Sequence, residues 1–435
     1  MKISSARRLN GNVTLPGDKS ISHRAALIAA CAEGPSRLSN FSSSLDCVST
    51  LNCLRSLGVS VSVDDTNVRI DGKSVRGLSQ PERSLDCGNS GSTMRMLAGL
   101  LAGQPFSSEL TGDESLKSRP MKRIIEPLER MGAQVQSQSG RPPLRITPAN
   151  PLKPIRYELP VASAQVKSCV LLAGLQAGGE TTVIEHVTTR DHTERMLEWY
   201  GVPVRIGDTA KSGWEISVKG PARFTGRDVQ IPGDVSSAAF LVAAATLLPD
   251  SNLTIQGIGL NPTRTQLISE LELLGAKITM YDVQEFNNEP VGTINVDGGM
   301  QDAQARGTRK VSGETVAQLI DELPLLAVLG TQVNGGIEVC DAKELRVKES
   351  DRIATTVENL RAMGADVEEY PDGFRVDGPT RLKGARLNSH GDHRIAMAFS
   401  VAALVAHGDS EIVDADCVDV SFPGFFSLLE SLVER

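Results

Sequence analysis

The stretch that decides the fold is SHRAALIAACAEG, residues 22–34. Every residue from position 25 to position 32 is apolar, so a helix formed here has no polar face and is buried on all sides. Five later segments share this character: STMRMLAGLLAG (92–103), AQVKSCVLLAGLQAGG (164–179), VSSAAFLVAAATLL (235–248), DELPLLAVLG (321–330) and HRIAMAFSVAALVA (393–406). The sequence therefore predicts six buried helices.

These segments recur at a regular spacing. Equivalent positions are Arg24, Arg95, Val166, Ser237, Leu323 and Arg394. They are separated by 71 residues, except for the step of 86 residues from Ser237 to Leu323. A fixed period of this kind indicates a repeated structural unit. The long step predicts an insertion, which we place in the polar stretch 281–307.

A second element lies between the apolar helices. Five segments end an amphipathic helix with a glycine and continue with alternating residues: LRSLGVSVSV (54–63), LERMGAQVQ (128–136), LEWYGVPVRI (197–206), LELLGAKITM (271–280) and LRAMGADVEE (360–369). The glycine is typical of a left-handed helix C-cap, and the alternation predicts a strand that opens a β-hairpin. We expect two lobes, each with three central helices wrapped by sheets. The alternative is a solenoid, whose units pack only against their neighbours.

Composition excludes several classes of protein. The 435 residues carry a formal charge of −8 and only 4% aromatic residues, which argues against a nucleic-acid binder. The start MKISSARRLNGNV has no apolar core of a signal peptide, and the apolar stretch 238–248 is shorter than the roughly 20 residues that span a bilayer. Seven cysteines without a C-x-x-C pair indicate reduced thiols and a cytoplasmic protein. The six histidines form no zinc-like set, so we expect no metal.

Polar motifs mark the N-terminal ends of the predicted helices. The first, LPGDKSISHR (15–24), is not a nucleotide-binding P-loop, because Asp18 separates Gly17 from Lys19. A helix N-terminus nevertheless binds anions through its unpaired N–H groups. Basic residues are unfavourable there unless an anion is bound, and they recur as Lys19, Arg24, Arg95, Lys167 and Arg394. We predict an anion-binding cleft between the lobes. The simpler alternative is that the Ser, Asp and Gly residues only cap the helices.

A further basic group is RVKESDR, residues 346–352. The i,i+4 spacing predicts that Lys348 and Arg352 share one face of a helix, with Glu349 beside Arg352. The alternative is a solvated turn with surface salt bridges.

Seven motifs together resemble the EPSP synthase (3-phosphoshikimate 1-carboxyvinyltransferase) family of enolpyruvyl transferases. They are LPGDKSISHR (15–24), GNSGSTMR (88–95), SRPM (118–121), SAQVKS (163–168), RDHTERML (190–197), VKESDR (347–352) and GDHRIAMA (391–398). They follow the family's order along the whole chain. The resemblance implies an α/β fold, a two-lobed inside-out α/β barrel of six βαβαββ units with three per domain around buried helices. It implies one discontinuous lobe of residues 1–17 and 234–435 and a second of residues 18–233.

The resemblance also implies the reaction. Members transfer the enolpyruvyl group of phosphoenolpyruvate to the 5-hydroxyl of shikimate 3-phosphate and release phosphate, a step of aromatic amino acid biosynthesis. The expected partners are these two small molecules, without nucleic acid, membrane or cofactor, and the expected state is a monomer. Each substrate carries a phosphate and a carboxylate, which suits a protein rich in basic helix starts.

Site residues follow from the resemblance by position. The shikimate 3-phosphate contacts are Lys19, Ser20, Arg24, Ser163, Ala164 through its backbone, Gln165 and Arg190. The phosphoenolpyruvate contacts are Gly91, Arg119, Arg352 and Arg394, with Lys19 in addition. Asp321 is implied to accept the proton of the attacking hydroxyl, with Lys348 beside it, and Glu349 or Lys19 to protonate the methylene carbon. From the residues alone, a helix N-cap is the favoured explanation of Asp321. Two positions depart from the family pattern: Val420 replaces a lysine and Glu344 replaces an asparagine.

Three other functions remain open at this stage. The sister transferase that uses UDP-N-acetylglucosamine carries a loop cysteine ahead of its Arg-Pro, whereas the nearest upstream cysteine here is Cys87. An RNA 3′-phosphate cyclase has related units but needs a nucleotide and a basic RNA surface, which this sequence does not show. A non-catalytic repeat protein would release no phosphate from either substrate pair.

Overall fold

The protein is a mixed α/β molecule in a computed structural model that describes residues 1–209, 213–300 and 307–435. The helices in these residues are α1 (Lys19–Cys31), α2 (Leu45–Ser56), α3 (Gly91–Leu101), α4 (Glu114–Ser118), α5 (Lys122–Arg130), α6 (Ala164–Gly174), α7 (His192–Trp199), α8 (Val235–Leu247), α9 (Gln266–Leu273), α10 (Glu314–Leu319), α11 (Leu323–Gly330), α12 (Arg352–Ala362), α13 (His393–Val405) and α14 (Phe425–Leu432). Short 3-10 turns span Lys343–Val347 and Ala415–Val420.

The strands are β1 (Lys2–Ile3), β2 (Arg8–Thr14), β3 (Glu33–Ser39), β4 (Ser60–Asp64), β5 (Asn67–Lys73), β6 (Leu85–Asp86), β7 (Ser108–Thr111), β8 (Gln134–Gln138), β9 (Arg141–Thr147), β10 (Arg156–Glu158), β11 (Glu180–Glu185), β12 (Val204–Asp208), β13 (Trp214–Lys219), β14 (Val229–Gln230), β15 (Asn252–Gly259), β16 (Lys277–Phe286), β17 (Glu289–Asp297), β18 (Arg309–Val311), β19 (Ile337–Val339), β20 (Val367–Tyr370), β21 (Gly373–Val376), β22 (Arg386–Asn388), β23 (Ser410–Val413) and β24 (Val433–Glu434). They form six small sheets.

The six apolar segments form six buried helices, as predicted: α1, α3, α6, α8, α11 and α13. In α1, residues 25–31 are all completely buried. Their Ala-rich surfaces let helices and sheets approach closely on every side, because small side chains leave no gap that a larger residue would have to fill. The sequence pattern was therefore sufficient to identify the centre of the fold.

The glycine-terminated segments also behave as predicted. Their glycines adopt left-handed φ angles: +78° at Gly58, +104° at Gly132, +83° at Gly201, +94° at Gly275 and +85° at Gly364. Each glycine ends an outer helix and is followed by the first strand of a hairpin. Since a side chain is disfavoured at these φ values, the glycines fix where each helix stops and each hairpin begins.

Two compact units divide the chain. The first contains Met1–Pro16, Pro232–Gln284 and Pro290–Arg435, and the second contains Gly17–Ile231 with Glu285–Glu289. Each unit has its own hydrophobic core around three of the central helices. In the first unit α8, α11 and α13 all contact one another, which excludes a solenoid there. The lobe boundaries expected at residues 17 and 233 remain a prediction about domains.

Each unit contains three sheets. Those of the first unit have the strand orders β1-β23-β22, β16-β17-β15-β2-β24 and β18-β19-β21-β20. Those of the second have the orders β14-β3-β5-β4, β6-β7-β9-β8 and β10-β11-β13-β12. A parallel pair of strands is extended by an antiparallel hairpin in five of the six. The sixth sheet has no hairpin, and β1 pairs antiparallel with β23 instead.

The predicted insertion lies partly in one hairpin. Strands β16 and β17 are 10 and 9 residues long, whereas β4 and β5 have 5 and 7 residues. Residues 301–306 of the predicted insertion lie outside the described residues. Across the described part of the chain, the helices are too short or too polar for any of them to cross a bilayer. All seven cysteines are free thiols.

Candidate active site

Side-chain caps begin five of the six central helices. In each, an Asp or Ser oxygen accepts a hydrogen bond from a backbone N–H of the first turn; the capping residues are Asp18, Ser90, Ser163, Asp234 and Asp392. These polar residues are therefore caps, as the simpler interpretation predicts, but capping is not their only role, because Asp392 also accepts from Arg352. Capping does not account for the basic side chains beside them, which have their own sets of partners.

Asp321 is not one of these caps. Helix α11 begins at Leu323, and the capping position is Glu322, whose side chain makes no cap hydrogen bond. The Asp321 carboxylate instead accepts hydrogen bonds through Oδ1 from Lys348 Nζ and Arg352 Nη1, both at 3.3 Å. The N-cap alternative for Asp321 is therefore wrong.

The prediction that Lys348 and Arg352 share one face of a helix is also wrong. Lys348 follows the 3-10 turn with an extended backbone, and α12 begins only at Arg352 because Asp351 caps it by accepting from Ala354 N. The two cations meet through the Asp321 carboxylate rather than through helical spacing.

Arg352 is the centre of the first unit's cluster. Its Nε and Nη2 atoms lie 2.8 and 3.2 Å from the two oxygens of Asp392, and Nη2 lies 2.7 Å from Glu349 Oε2. The Arg352 side chain is 2% exposed, so the solvated-turn alternative is wrong. Burial lowers the pKa of Arg352, but the attraction of Asp392, Glu349 and Asp321 outweighs burial and raises it above its usual value.

Arg394 extends this cluster across the first turn of α13. Its Nη1 donates to Glu322 Oε1 at 3.0 Å, and the same oxygen accepts from Ser236 Oγ at 2.6 Å. Arg264 Nη2 in turn donates to Ser236 Oγ at 2.6 Å. The starts of α8, α11 and α13 are thus joined by one network. Sequence reasoning missed Glu322 and Arg264.

The second unit presents its basic residues at the starts of α1, α3 and α6. Lys19 Nζ lies 2.9 Å from Asp46 Oδ2. Arg24 donates from Nε to Thr193 Oγ1 at 2.8 Å and from Nη2 to Ser168 Oγ at 3.0 Å. It also donates from Nη1 to the carbonyl of Ser20 at 2.9 Å. These bonds connect α1 with α6 and α7.

Two guanidinium groups surround the start of α3. A Cβ atom at Gly91 would lie 3.0 Å from Arg95 Nη1 and 3.5 Å from Arg119 Nη1. Arg95 donates to Gln165 Oε1 at 2.5 Å. Arg119 Nη2 donates to Asn89 Oδ1 at 2.6 Å. Glycine therefore leaves the room that the arginines occupy.

Lys167 lies in the first turn of α6 and is buried. Its Nζ donates to Glu194 Oε1 at 2.6 Å and to Glu185 Oε1 at 3.1 Å, and all three side chains are at most 4% exposed. Burial lowers the pKa of Lys167, but the two carboxylates outweigh it and raise the pKa above the ordinary lysine value. Burial also raises the pKa of Glu194, against the attraction of Lys167.

The structure joins the predicted site residues of the first unit in one hydrogen-bonded cluster, and it places those of the second unit near the starts of four helices. The first unit's cluster contains Asp321, Lys348, Glu349, Arg352 and Arg394. In the second unit, Lys19, Ser20, Arg24, Gly91, Arg119, Ser163, Ala164 and Gln165 lie at or beside the starts of α1, α3 and α6, and Arg190 lies two residues before α7. Their binding roles remain predictions. In the described ranges, no group of three or more His, Cys, Asp or Glu residues is placed to hold a metal ion.

Comparison with known proteins gives a consistent result. The profile of a family described as EPSP synthase (3-phosphoshikimate 1-carboxyvinyltransferase) matches residues 3–429. Relatives named 3-phosphoshikimate 1-carboxyvinyltransferase from Koribacter versatilis and Solibacter usitatus are 51% and 50% identical, each over 100% of this chain and 99% of the relative. A solved EPSP synthase from Acinetobacter baumannii has a TM-score of 0.84 at 39% identity, over 99% of this chain and 97% of that chain.

Proposed function

Because the chain belongs to the EPSP synthase family, we propose that the predicted site residues of its two units carry out the reaction for which that family is named. The chain transfers the enolpyruvyl group of phosphoenolpyruvate to the 5-hydroxyl of shikimate 3-phosphate and releases phosphate. This is a step of the shikimate pathway, which leads to chorismate and the aromatic amino acids.

The observation that carries the proposal is the placement of Asp321. Its carboxylate is held by Lys348 and Arg352 at 3.3 Å, and it is only partly buried, with 18% of the side chain exposed. A carboxylate with a fixed orientation and an accessible face suits a general base. Asp321 takes the proton of the 5-hydroxyl as the hydroxyl oxygen bonds to C2 of phosphoenolpyruvate.

A proton must reach C3 of phosphoenolpyruvate in the same addition. Glu349 or Lys19 supplies it, which produces a tetrahedral intermediate with a methyl group and the phosphate still attached. The group that protonated C3 then takes a methyl proton back as the bond between C2 and the phosphate oxygen breaks, which restores the double bond and releases phosphate. Preorganised lysine and arginine charges stabilise the phosphate throughout, at no cost of reorganisation during the reaction.

The binding residues divide between the two substrates by the family positions that they match. Lys19, Ser20, Arg24 and Arg190 bind shikimate 3-phosphate, together with the start of α6 at Ser163, Ala164 and Gln165. Gly91 and Arg119 in the second unit and Arg352 and Arg394 in the first bind phosphoenolpyruvate, with Lys19 in addition. Guanidinium groups pair with carboxylate and phosphate through two parallel hydrogen bonds, which suits both substrates. The protein acts as a monomer in the cytoplasm and uses no cofactor.

Release of phosphate tests the proposal directly. The full chain is mixed with phosphoenolpyruvate and either shikimate 3-phosphate or UDP-N-acetylglucosamine, without added metal, and free phosphate is followed. We expect release only with shikimate 3-phosphate. Release with the sugar nucleotide alone would identify the sister transferase. Release with neither acceptor would favour a non-catalytic repeat protein, and either result would overturn the proposal.

A further inference from the structure

We propose that Lys167, together with Glu185 and Glu194, positions the residues that bind shikimate 3-phosphate. This inference deepens the proposed function and rests on it. None of the three side chains reaches the surface, so they act through their neighbours rather than by touching the substrate.

The register between α6 and α7 supports this positioning role. Lys167 and Ser168 are consecutive on α6, and Thr193 and Glu194 are consecutive on α7. Lys167 pairs with Glu194 at 2.6 Å, and Ser168 Oγ lies 2.7 Å from Thr193 Oγ1. The buried ion pair and the hydroxyl pair therefore join the same two turns. A one-residue shift between the helices would break both pairs.

The hydroxyl pair determines the position of Arg24. The Arg24 guanidinium group donates from Nε to Thr193 Oγ1 on α7 and from Nη2 to Ser168 Oγ on α6. Its orientation therefore depends on the distance between these two helices. Any movement of α7 away from Lys167 would turn Arg24. The ion pair thus controls a residue to which we assign the binding of shikimate 3-phosphate.

The segment before α7 is also held by this cluster. Lys167 Nζ donates to the carbonyl of Thr189 at 3.4 Å, and Thr189 Oγ1 donates to Glu185 Oε2 at 2.6 Å. Thr189 directly precedes Arg190, another proposed shikimate 3-phosphate contact. The same lysine therefore fixes the backbone next to Arg190 and the helix that holds Arg24.

The buried charges of the cluster favour a single arrangement of its three side chains. One buried cation lies between two buried carboxylates, and an ionised group in this environment has no alternative partner in water. A buried ion pair contributes little net stability, but it strongly disfavours arrangements that separate its members. We therefore attribute to the cluster a geometric role more than a stabilising one.

The test separates the two substrates. In Lys167→Met, we expect the dissociation constant of shikimate 3-phosphate, measured by calorimetry on the full chain, to rise about tenfold or more, as for residues that orient a contacting group. The KM for phosphoenolpyruvate at saturating shikimate 3-phosphate stays within about twofold, because Lys167 donates to Glu185, Glu194 and Thr189, which are not among the proposed phosphoenolpyruvate contacts.

A second variant covers the case in which Lys167→Met does not fold. Lys167→Met/Glu185→Gln/Glu194→Gln removes every charge of the cluster, so no buried charge is left unpaired, and we expect the same selective loss of affinity. The matched control is Arg309→Met in the first unit. It leaves Glu270, whose side chain is 1% exposed, without its two bonds to Arg309. We expect it to change neither the dissociation constant of shikimate 3-phosphate nor the KM for phosphoenolpyruvate.

Two results would overturn this inference. One is a folded variant that binds shikimate 3-phosphate as the wild type does, and the other is an equal loss of affinity for both substrates. In either case the wild type would still release phosphate from the substrate pair. A wild type that releases none would contradict the proposed function instead.

Discussion

Arginines that we assign to substrate binding are hydrogen-bonded to different kinds of groups in the two units. In the first unit, Lys348, Arg352 and Arg394 donate to the carboxylates of Asp321, Glu349, Asp392 and Glu322. In the second unit, Arg24 donates to two hydroxyl oxygens and a carbonyl, and Arg119 donates to an amide oxygen and the hydroxyl of Ser115. Lys19 follows the pattern of the first unit through its bond to Asp46.

This difference matches two different chemical tasks. Neutral oxygen atoms orient a guanidinium group without cancelling its charge, so Arg24 and Arg119 are suited to binding a phosphate or a carboxylate. Carboxylates partly cancel the charge they hold, but they are themselves proton acceptors. The carboxylates of the first unit are thus suited to transferring protons, and the guanidinium groups of Arg24 and Arg119 are suited to binding anions.

The largest effect that the comparison predicts concerns proton transfer. Asp321→Asn keeps an oxygen acceptor for Lys348 and Arg352 but removes the base. We expect kcat to fall about a thousandfold, within the range of a lost general base. The dissociation constant of shikimate 3-phosphate should change little, since its anionic groups are bound in the second unit.

The control for this variant is Asp366→Asn, which changes an exposed aspartate between α12 and β20. Single-turnover measurement of phosphate release would separate loss of chemistry from loss of binding. Wild-type turnover in Asp321→Asn would remove Asp321 from the mechanism and with it the assignment of proton transfer to the first unit.

The next effect compares two arginines directly. Arg352→Lys cannot reproduce the bonds to both oxygens of Asp392 and leaves buried carboxylates poorly paired, so we expect a loss of about 3 kcal/mol in the free energy of unfolding. Arg24→Lys disturbs bonds to the neutral oxygens of Thr193, Ser168 and Ser20, and we expect a loss of about 1 kcal/mol. Urea denaturation measures both, with Arg361→Lys on the exposed side of α12 as the control. Equal losses in the two variants would contradict the distinction between the units.

The parts of the fold that were predictable are those that depend on local sequence patterns. The central helices and the left-handed glycines depend on local patterns, namely the apolar runs and the glycine that ends each amphipathic helix, so the sequence alone identified them. The pairing of β2 with β24 and of β14 with β3 joins residues far apart in the sequence, such as Leu9 with Val433. No local pattern specifies these partners, because they are selected by packing of the complete unit.

The site was predictable only as far as its motifs. Asp392 lies inside a recognised motif, yet its two bonds to Arg352 depend on the tertiary fold. Arg264 lies in a loop without any motif. The error over Lys348 had a local cause that the sequence did contain. Asp351 is a good N-cap residue, and its position directly before Arg352 indicates that the helix starts there.

The smallest effect tests how firmly the second unit holds its guanidinium groups. In Gly91→Ala, the new methyl group would lie 3.0 Å from Arg95 Nη1, so that atom must move by a few tenths of an ångström. Because Arg95 is oriented partly through the amide of Gln165, the movement costs little. We expect the KM for phosphoenolpyruvate to rise about threefold and the stability to change by less than about 0.5 kcal/mol.

Gly178→Ala is the matched control, since a Cβ atom there would meet no atom within 4 Å. Steady-state kinetics at saturating shikimate 3-phosphate gives the comparison. A loss of stability in urea denaturation as large as the one expected for Arg352→Lys would mean that amide and hydroxyl partners hold a guanidinium group as rigidly as carboxylates do. The contrast between the units would then lie in their charge alone and no longer in their freedom to adjust.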